Sequence, residues 1–166
     1  VATPDISQFD AVVVVDFNAP VRAGKLSDFL RSFKKPLMVI DHHSKTKESL
    51  KTCFAVIDSK ASSASLLVFD QLQKSGFSFS KKSLLSLAAG MIADSFDLSL
   101  ANSEVLEKLS FCLKKTSSGI QDIRLLYAIE EDISERIAKL KSLHRLRLFE
   151  MNSFLIAVSQ SSFFES

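Results

Sequence analysis

At 166 residues, 46% of them hydrophobic and 24% charged, the chain has the length and balance of one globular domain with room for a real core. A formal net charge of +2 and a pI near 8.6 are too mild for bulk charge to argue for nucleic acid, and the longest apolar run, Ala11 to Val15, is far too short to cross a bilayer. Cys53 and Cys112 lack a C-x-x-C spacing, which argues against a thiolate zinc site and a disulfide framework; with no basic-then-apolar leader, the expected location is the cytoplasm.

The first half of the chain alternates strand and helix signals. Ala11 to Val15 is a continuous β-branched run, the pattern of a strand in a sheet covered on both faces. It ends at Asp16, and Pro20 and Gly24 mark the loop that follows. Leu26, Phe29, Leu30 and Phe33 recur at i, i+3, i+4 and i+7, one stripe of a short helix. Pro36 then opens a second strand, Leu37 to Ile40, which ends at Asp41. A third run, Cys53 to Ile57, ends at Asp58. Strand, helix and strand in this order predict a parallel sheet with right-handed crossovers.

The second half reads as helices. Ala64, Leu67, Val68 and Leu72 form a stripe that Ser62 or Ser63 would cap and Gly76 would end. Leu84, Leu87, Ala88, Met91 and Ile92 form the next, started by Ser80. Val105, Leu106, Leu109, Cys112 and Leu113 form a third, capped near Asn102 or Ser103, and Gly119 breaks the pattern. Glu130-Glu131-Asp132 suits the first turn of a helix, where negative charge complements the dipole. That helix is expected from about Ile133 to Phe149, carrying Arg136, Lys139, Lys141, Arg145 and Arg147, with His144 an exposed residue of no assigned role. Phe154 to Val158 reads as a strand with nothing local to pair with, so both ends of the chain look cut. The expected fold class is α/β: a parallel β-sheet flanked by helices, with helices dominating the second half.

Three acidic positions fall where such a sheet places its chemistry. Asp16 and Asp41 directly follow apolar strands, and ligands of open α/β sheets bind beyond the carboxyl ends of the strands. Asp94 ends the apolar helix in Gly90-Met91-Ile92-Ala93-Asp94-Ser95. His42 and His43 leave the sheet in the same crevice as Asp41. Carboxylates with imidazole suit Mn²⁺ and, to a lesser degree, Mg²⁺, Fe²⁺ or Zn²⁺. Two such ions about 3.5–4 Å apart can activate a shared water as hydroxide and clamp the oxygens of a phosphate. Each element alone has an ordinary structural explanation: a strand-end Asp is commonly a turn residue, and adjacent histidines are commonly exposed loop residues. Their ordered co-occurrence is what carries information.

In this order the motifs resemble those of the DHH phosphoesterases, a family that includes RecJ-type exonucleases, nanoRNA and cyclic-dinucleotide phosphodiesterases, pyrophosphatases and exopolyphosphatases. The resemblance runs from about Phe9 to Phe164. Phe9 to Asp16 resembles the family's second motif, which implies that Asp16 bridges two metal ions. Val39-Ile40-Asp41-His42-His43 resembles the third. It implies that His42 binds the second metal, that His43 faces the substrate phosphate and that Asp41 supports the cluster. Gly90 to Ser95 resembles the fourth, which makes Asp94 a ligand of the second metal. Ala61 to Leu67 resembles the Ser-rich helix start, a structural element. The departures are Phe17 where Thr or Ser is usual, and Asp94-Ser95-Phe96-Asp97-Leu98 where Asp-Thr-Gly-x-Phe is usual. A first motif of the His-x-x-Pro-Asp-Gly-Asp type is absent, as is the glycine-rich, His-containing motif of the family's second domain.

The resemblance therefore implies three parts. Residues 1–130 are a DHH catalytic domain without its first motif, residues 131–150 a connector helix, and residues 151–166 the opening of a truncated substrate-binding domain. The implied activity of the full-length form is Mn²⁺-dependent hydrolysis of phosphodiester bonds by a two-metal-activated hydroxide, with single-stranded nucleic acid or an oligonucleotide as substrate. Phosphoanhydride cleavage of the exopolyphosphatase or pyrophosphatase type is the alternative within that class. A non-catalytic relic serving as a nucleic-acid-binding scaffold is the alternative outside it, and the sequence preceding Val1 would separate the two. The chain by itself is expected to be inactive. Its oligomeric state, a homo-oligomer included, is left open, and no membrane partner is expected.

Overall fold

A computed structural model describes residues 9–127 and 133–160. The chain divides into two compact units, Val1–Tyr127 and Ala128–Ser166. In the first, β1 (Val12–Val15), β2 (Leu37–Asp41) and β3 (Phe54–Ile57) form a parallel sheet in that spatial order. Val12 pairs with Leu37 and Met38 with Phe54, so the strands run in step and end together at Asp16, Asp41 and Asp58. A 3-10 turn (Pro20–Leu26) and α1 (Ser27–Ser32) link β1 to β2. Val14, Leu30, Leu37 and Val39 make one apolar cluster under the sheet, and Phe17 packs against it. The Phe17 departure thus fills core volume.

The expectation that β1 is covered on both faces is corrected. Val12 and Val14 turn inward, whereas Val13 and Val15 are about half exposed. β1 is an edge strand, and among the described residues no element covers it as β2 is covered. Val15 instead borders a cavity of about 390 Å³ that Asp16 and Asp94 also line.

Four helices complete the unit: α2 (Ala64–Lys74), α3 (Lys81–Asp94), α4 (Ser103–Thr116) and α5 (Ile120–Arg124). Their starts are fixed locally. The side chains of Ser63, Ser80 and Asn102 accept hydrogen bonds from the free backbone N–H groups of Leu66, Ser83 and Val105. α2 ends in a left-handed glycine, Gly76 at φ 71°, with the Phe77 N–H bonded back to the Leu72 carbonyl. Leu66 and Phe69 of α2, Met91 and Ile92 of α3, and Val105 and Leu109 of α4 bury one another in the larger core.

Gly90 of α3 stands directly against Ser65 of α2. A Cβ there would stand 2.0 Å from Ser65 Oγ and 2.9 Å from Ser65 Cβ. The hydroxyl can rotate away, but the Cβ cannot, so the helices would have to separate. Helix propensity alone favours Ala over Gly by about 1 kcal/mol; overpacking costs about 1–3 kcal/mol. Gly90→Ala should therefore destabilise in chemical denaturation, and should do so in a Ser65→Ala background as well. A stabilised Gly90→Ala variant would show that the contact is loose.

In the second unit, α6 (Ile133–His144) precedes an antiparallel hairpin of β4 (Arg147–Met151) and β5 (Phe154–Val158). Two expectations are corrected here. The helix stops at His144, so Arg145 and Arg147 lie outside it, and Phe154 to Val158 does have a local partner. Asn152 and Ser153 both have positive φ, at 48° and 70°, which is the primed two-residue turn whose twist matches a hairpin. Helical spacing of Leu140, Leu143 and Leu146 carries past the real end, and a turn without glycine hides the reversal. Glu130, Glu131 and Asp132 all lie outside the described residues, and with them the expectation of a helix start there.

Candidate functional site

Parallel pairing brings the ends of β1 and β2 side by side, and with them Asp16 and Asp41. The Asp16 N–H still bonds the Ile40 carbonyl at 3.0 Å, but its φ is 70°. Left-handed backbone is uncommon outside glycine, Asp and Asn being the usual exceptions, and such outliers gather at functional sites. The turn swings an exposed carboxylate to within 3.3 Å of His42 Nε2.

His42 is half-buried, and its Nδ1 sits 3.4 Å from the Ala61 carbonyl. A carbonyl only accepts, so the proton of a neutral ring belongs on Nδ1. Nε2 then offers a lone pair to a carboxylate that also offers lone pairs. Only a proton or a metal cation between them makes that pairing favourable. A second-sphere carbonyl fixing one ring nitrogen while the other faces a carboxylate is how imidazole ligands are commonly held.

Asp41 is wholly buried. Its Oδ1 accepts from the His43 backbone N–H at 3.1 Å and from His43 Nδ1 at 2.7 Å, and its Oδ2 accepts from Asn18 Nδ2 at 2.6 Å. Burial by itself pushes this carboxyl up, but the bonds from His43 and Asn18 outweigh it and hold the group below the ordinary carboxylate value. With its Nδ1 proton given to Asp41, His43 presents Nε2 outward, where Arg22 Nη1 lies 3.2 Å away. The rings of His42 and His43 meet edge to face with centroids 4.5 Å apart.

Asp16, His42 and His43 can each place a ligand atom within 4.8 Å of the others. Asp94 stands outside that group. It closes α3 and shares with Asp16 the lining of the 390 Å³ cavity. Its carboxyl is pushed up by burial first and by the Asp16 charge second, with His42 and His43 pulling the other way. The five residues singled out from the sequence therefore fall into a tight trio, a buried support (Asp41) and one more distant acid (Asp94). The donor set of carboxylates and imidazole fits a divalent cation of the Mn²⁺ class.

Beyond Asp94 the chain turns through Phe96, Asp97 and Leu98, all at positive φ. Asp97 ties this turn down by accepting from Arg124 Nε at 3.0 Å and the Tyr127 hydroxyl at 3.1 Å. Phe96, in left-handed backbone, is 72% exposed.

Two residues of the site escape sequence reasoning. Asn18 is buried and bridges Asp41 to the carbonyls of His43 and Ser44, while its Oδ1 accepts from Ser49 at 2.6 Å. Arg22, on the 3-10 turn, reaches His43. Both contacts span twenty or more residues, and no local periodicity reports them. The one available signal is that two polar side chains follow Asp16 closely in a loop at the carboxyl edge of the sheet.

No protein-family model matches the chain. An uncharacterized protein of Methanocaldococcus jannaschii is 29% identical over 133 residues, which cover 80% of this chain and 40% of that protein. The structure is similar to that of an exopolyphosphatase-related protein from Bacteroides fragilis, with a TM-score of 0.73 at 23% identity, over 86% of this chain and 42% of that one. The chain spans about two-fifths of each relative's length. Among the described residues no helix is long and apolar enough to cross a membrane. The chain thus has an α/β fold, a parallel sheet flanked by helices, shared with an exopolyphosphatase-related protein.

Proposed function

We propose that the chain forms the central part of a metal-dependent phosphoesterase acting on phosphodiester bonds of single-stranded nucleic acid or oligonucleotides. The observation that carries this reading is the Asp16–His42 pair, 3.3 Å apart at the carboxyl edge of a parallel sheet, with the other His42 nitrogen turned to the Ala61 carbonyl. Two divalent ions, Mn²⁺ in preference to Mg²⁺, would supply charge neutralisation and an activated water there.

The residues divide the remaining work. Asp16 and His42 would hold the metal ions, with Asp94 a further donor from the α3 end. Asp41 spends both oxygens on hydrogen bonds, so its part is to hold His43 in one tautomer and one orientation. His43 faces the substrate phosphate, and Arg22 beside it has further guanidinium donors to offer a phosphate oxygen. In this reading, residues up to about 130 belong to the catalytic domain, α6 leads out of it, and the β4–β5 hairpin opens a substrate-binding domain. The chain alone would be inactive.

A second reading, hydrolysis of phosphoanhydride bonds in polyphosphate, is favoured by the fold shared with an exopolyphosphatase-related protein. The two separate in one assay: the intact protein with Mn²⁺, a 5′-labelled single-stranded oligonucleotide and long-chain polyphosphate side by side. Release of mononucleotides is the expected result, while orthophosphate from polyphosphate alone would move the assignment to the second reading. Absence of hydrolysis with Mn²⁺, Mg²⁺ or Co²⁺ would defeat both and leave the scaffold role.

A further inference from the structure

Charge is distributed unevenly along this chain. Between Phe17 and Thr52 stand eight lysines and arginines against three acidic residues, whereas the remainder carries 13 basic and 16 acidic ones. Of those three acids, Asp41 is buried and fully engaged, which leaves Asp28 and Glu48 at the surface. A mild net charge therefore hides a local basic field.

The fold gathers part of that charge into one groove. It has a volume of about 530 Å³ and is lined by Arg31 and Lys34 from the end of α1 and by Lys47 and Lys51 from the loop between β2 and β3. All four are exposed, and among the described residues none has an ion-pair partner. Glu48 is the only acid in the lining, and Leu30 and Phe33 place apolar surface beside the cations. Four unneutralised cations around one concavity repel one another, and a polyanion relieves that repulsion.

The groove is also tied to the candidate site. Ser49 in its wall donates to Asn18, which in turn holds Asp41 and the carbonyls that follow it. Pro20, also in its wall, opens the turn that carries Arg22 to His43. One loop and one turn therefore build both features.

We propose that this groove is a polyanion track, holding the phosphate chain of a single-stranded nucleic acid or of inorganic polyphosphate on its way to Asp16, His42 and His43. The destination rests on the hydrolase reading above; binding in the groove does not.

The test uses the intact protein with Mn²⁺ and the variant Arg31→Gln/Lys34→Gln/Lys47→Gln/Lys51→Gln. Binding of a fluorescent phosphorothioate 12-mer, which resists hydrolysis, is followed by anisotropy over a range of salt concentrations. Each single-strand phosphate contact contributes about 0.7 to the slope of log affinity against log salt. The variant should therefore lose roughly 2–3 from the slope and at least about tenfold in affinity at low salt. Lys47→Gln/Lys51→Gln, a milder change, should lose about half of that slope. A methylphosphonate 12-mer, uncharged along its backbone, should bind both proteins alike. Long-chain polyphosphate as competitor separates the sources: loss of its competition in the variant supports a general phosphate track, and retained competition supports a nucleic-acid track. Unchanged slope and affinity for both polyanions would overturn the proposal. Hydrolysis of bis(p-nitrophenyl) phosphate should be equal in parent and variant; if the parent lacks it, the phosphodiesterase reading fails while the binding result still decides the groove.

Discussion

His42→Ala should reduce Mn²⁺-dependent hydrolysis by the intact protein more than about 100-fold, since even groups that only support a metal ligand are worth 10–100-fold. The ring is half-buried, contacts Ala61 through one long hydrogen bond and lies against His43, so its removal should leave the fold largely intact. The same variant should weaken Mn²⁺ binding measured by calorimetry without the substrate present. His42→Gln offers a polar group of similar reach but no imidazole lone pair, and should fail to restore either property. Asp16→Asn should behave in parallel, because an amide oxygen is a poorer donor than a carboxylate and removes a negative charge from the Asp16–Asp94 pair. A His42→Ala protein with parental activity and metal affinity would remove the metal centre from the proposal. The scaffold reading predicts that outcome: nucleic-acid binding indifferent to His42 and to Mn²⁺.

Much of this arrangement is legible in the sequence because it is locally encoded. A β-branched run ending in Asp, twice over, gives the sheet edge and its two carboxylates, and Ser63, Ser80 and Asn102 announce three helix starts through a single capping bond each. Asp94 follows from the end of one apolar stripe. What sequence patterns do not carry is how loops fold across the sheet edge. Asn18 has four side-chain partners only because the β2–β3 loop returns over it, and Arg22 meets His43 only because a 3-10 turn, rather than a regular helix, follows Pro20. The exposed face of β1 was hidden for a related reason: an all-apolar strand looks the same at an edge as in the middle of a sheet. The hairpin was missed because its turn is made by Asn152 and Ser153 in left-handed backbone without a glycine to signal it.

Asp41→Asn should destabilise the protein and lower its activity together, and the reason is a count of donors. The native carboxylate faces three of them: the His43 backbone N–H, His43 Nδ1–H and Asn18 Nδ2–H. An amide has one accepting oxygen, so its own NH₂ must confront either His43 or Asn18. Asn18 cannot flip to help, because its Nδ2 also serves the carbonyls of His43 and Ser44 and its Oδ1 accepts from Ser49. A buried donor left facing a donor costs about 1–3 kcal/mol, and more where a charged partner is lost, enough to lower the melting temperature by several degrees. The pH dependence carries a definite sign. Asp41 titrates lower in the folded protein than its ordinary 3.8, so between those two values the unfolded chain binds more protons and stability rises with pH. The carboxylate's contribution is complete above about 3.8 and is lost as pH falls through the lower, folded value. The stability gap between parent and Asp41→Asn should accordingly narrow as pH falls below about 4. Equal melting temperatures at pH 7, or a gap that widens as pH falls below about 4, would mean that Asp41 is not the buried anchor of His43.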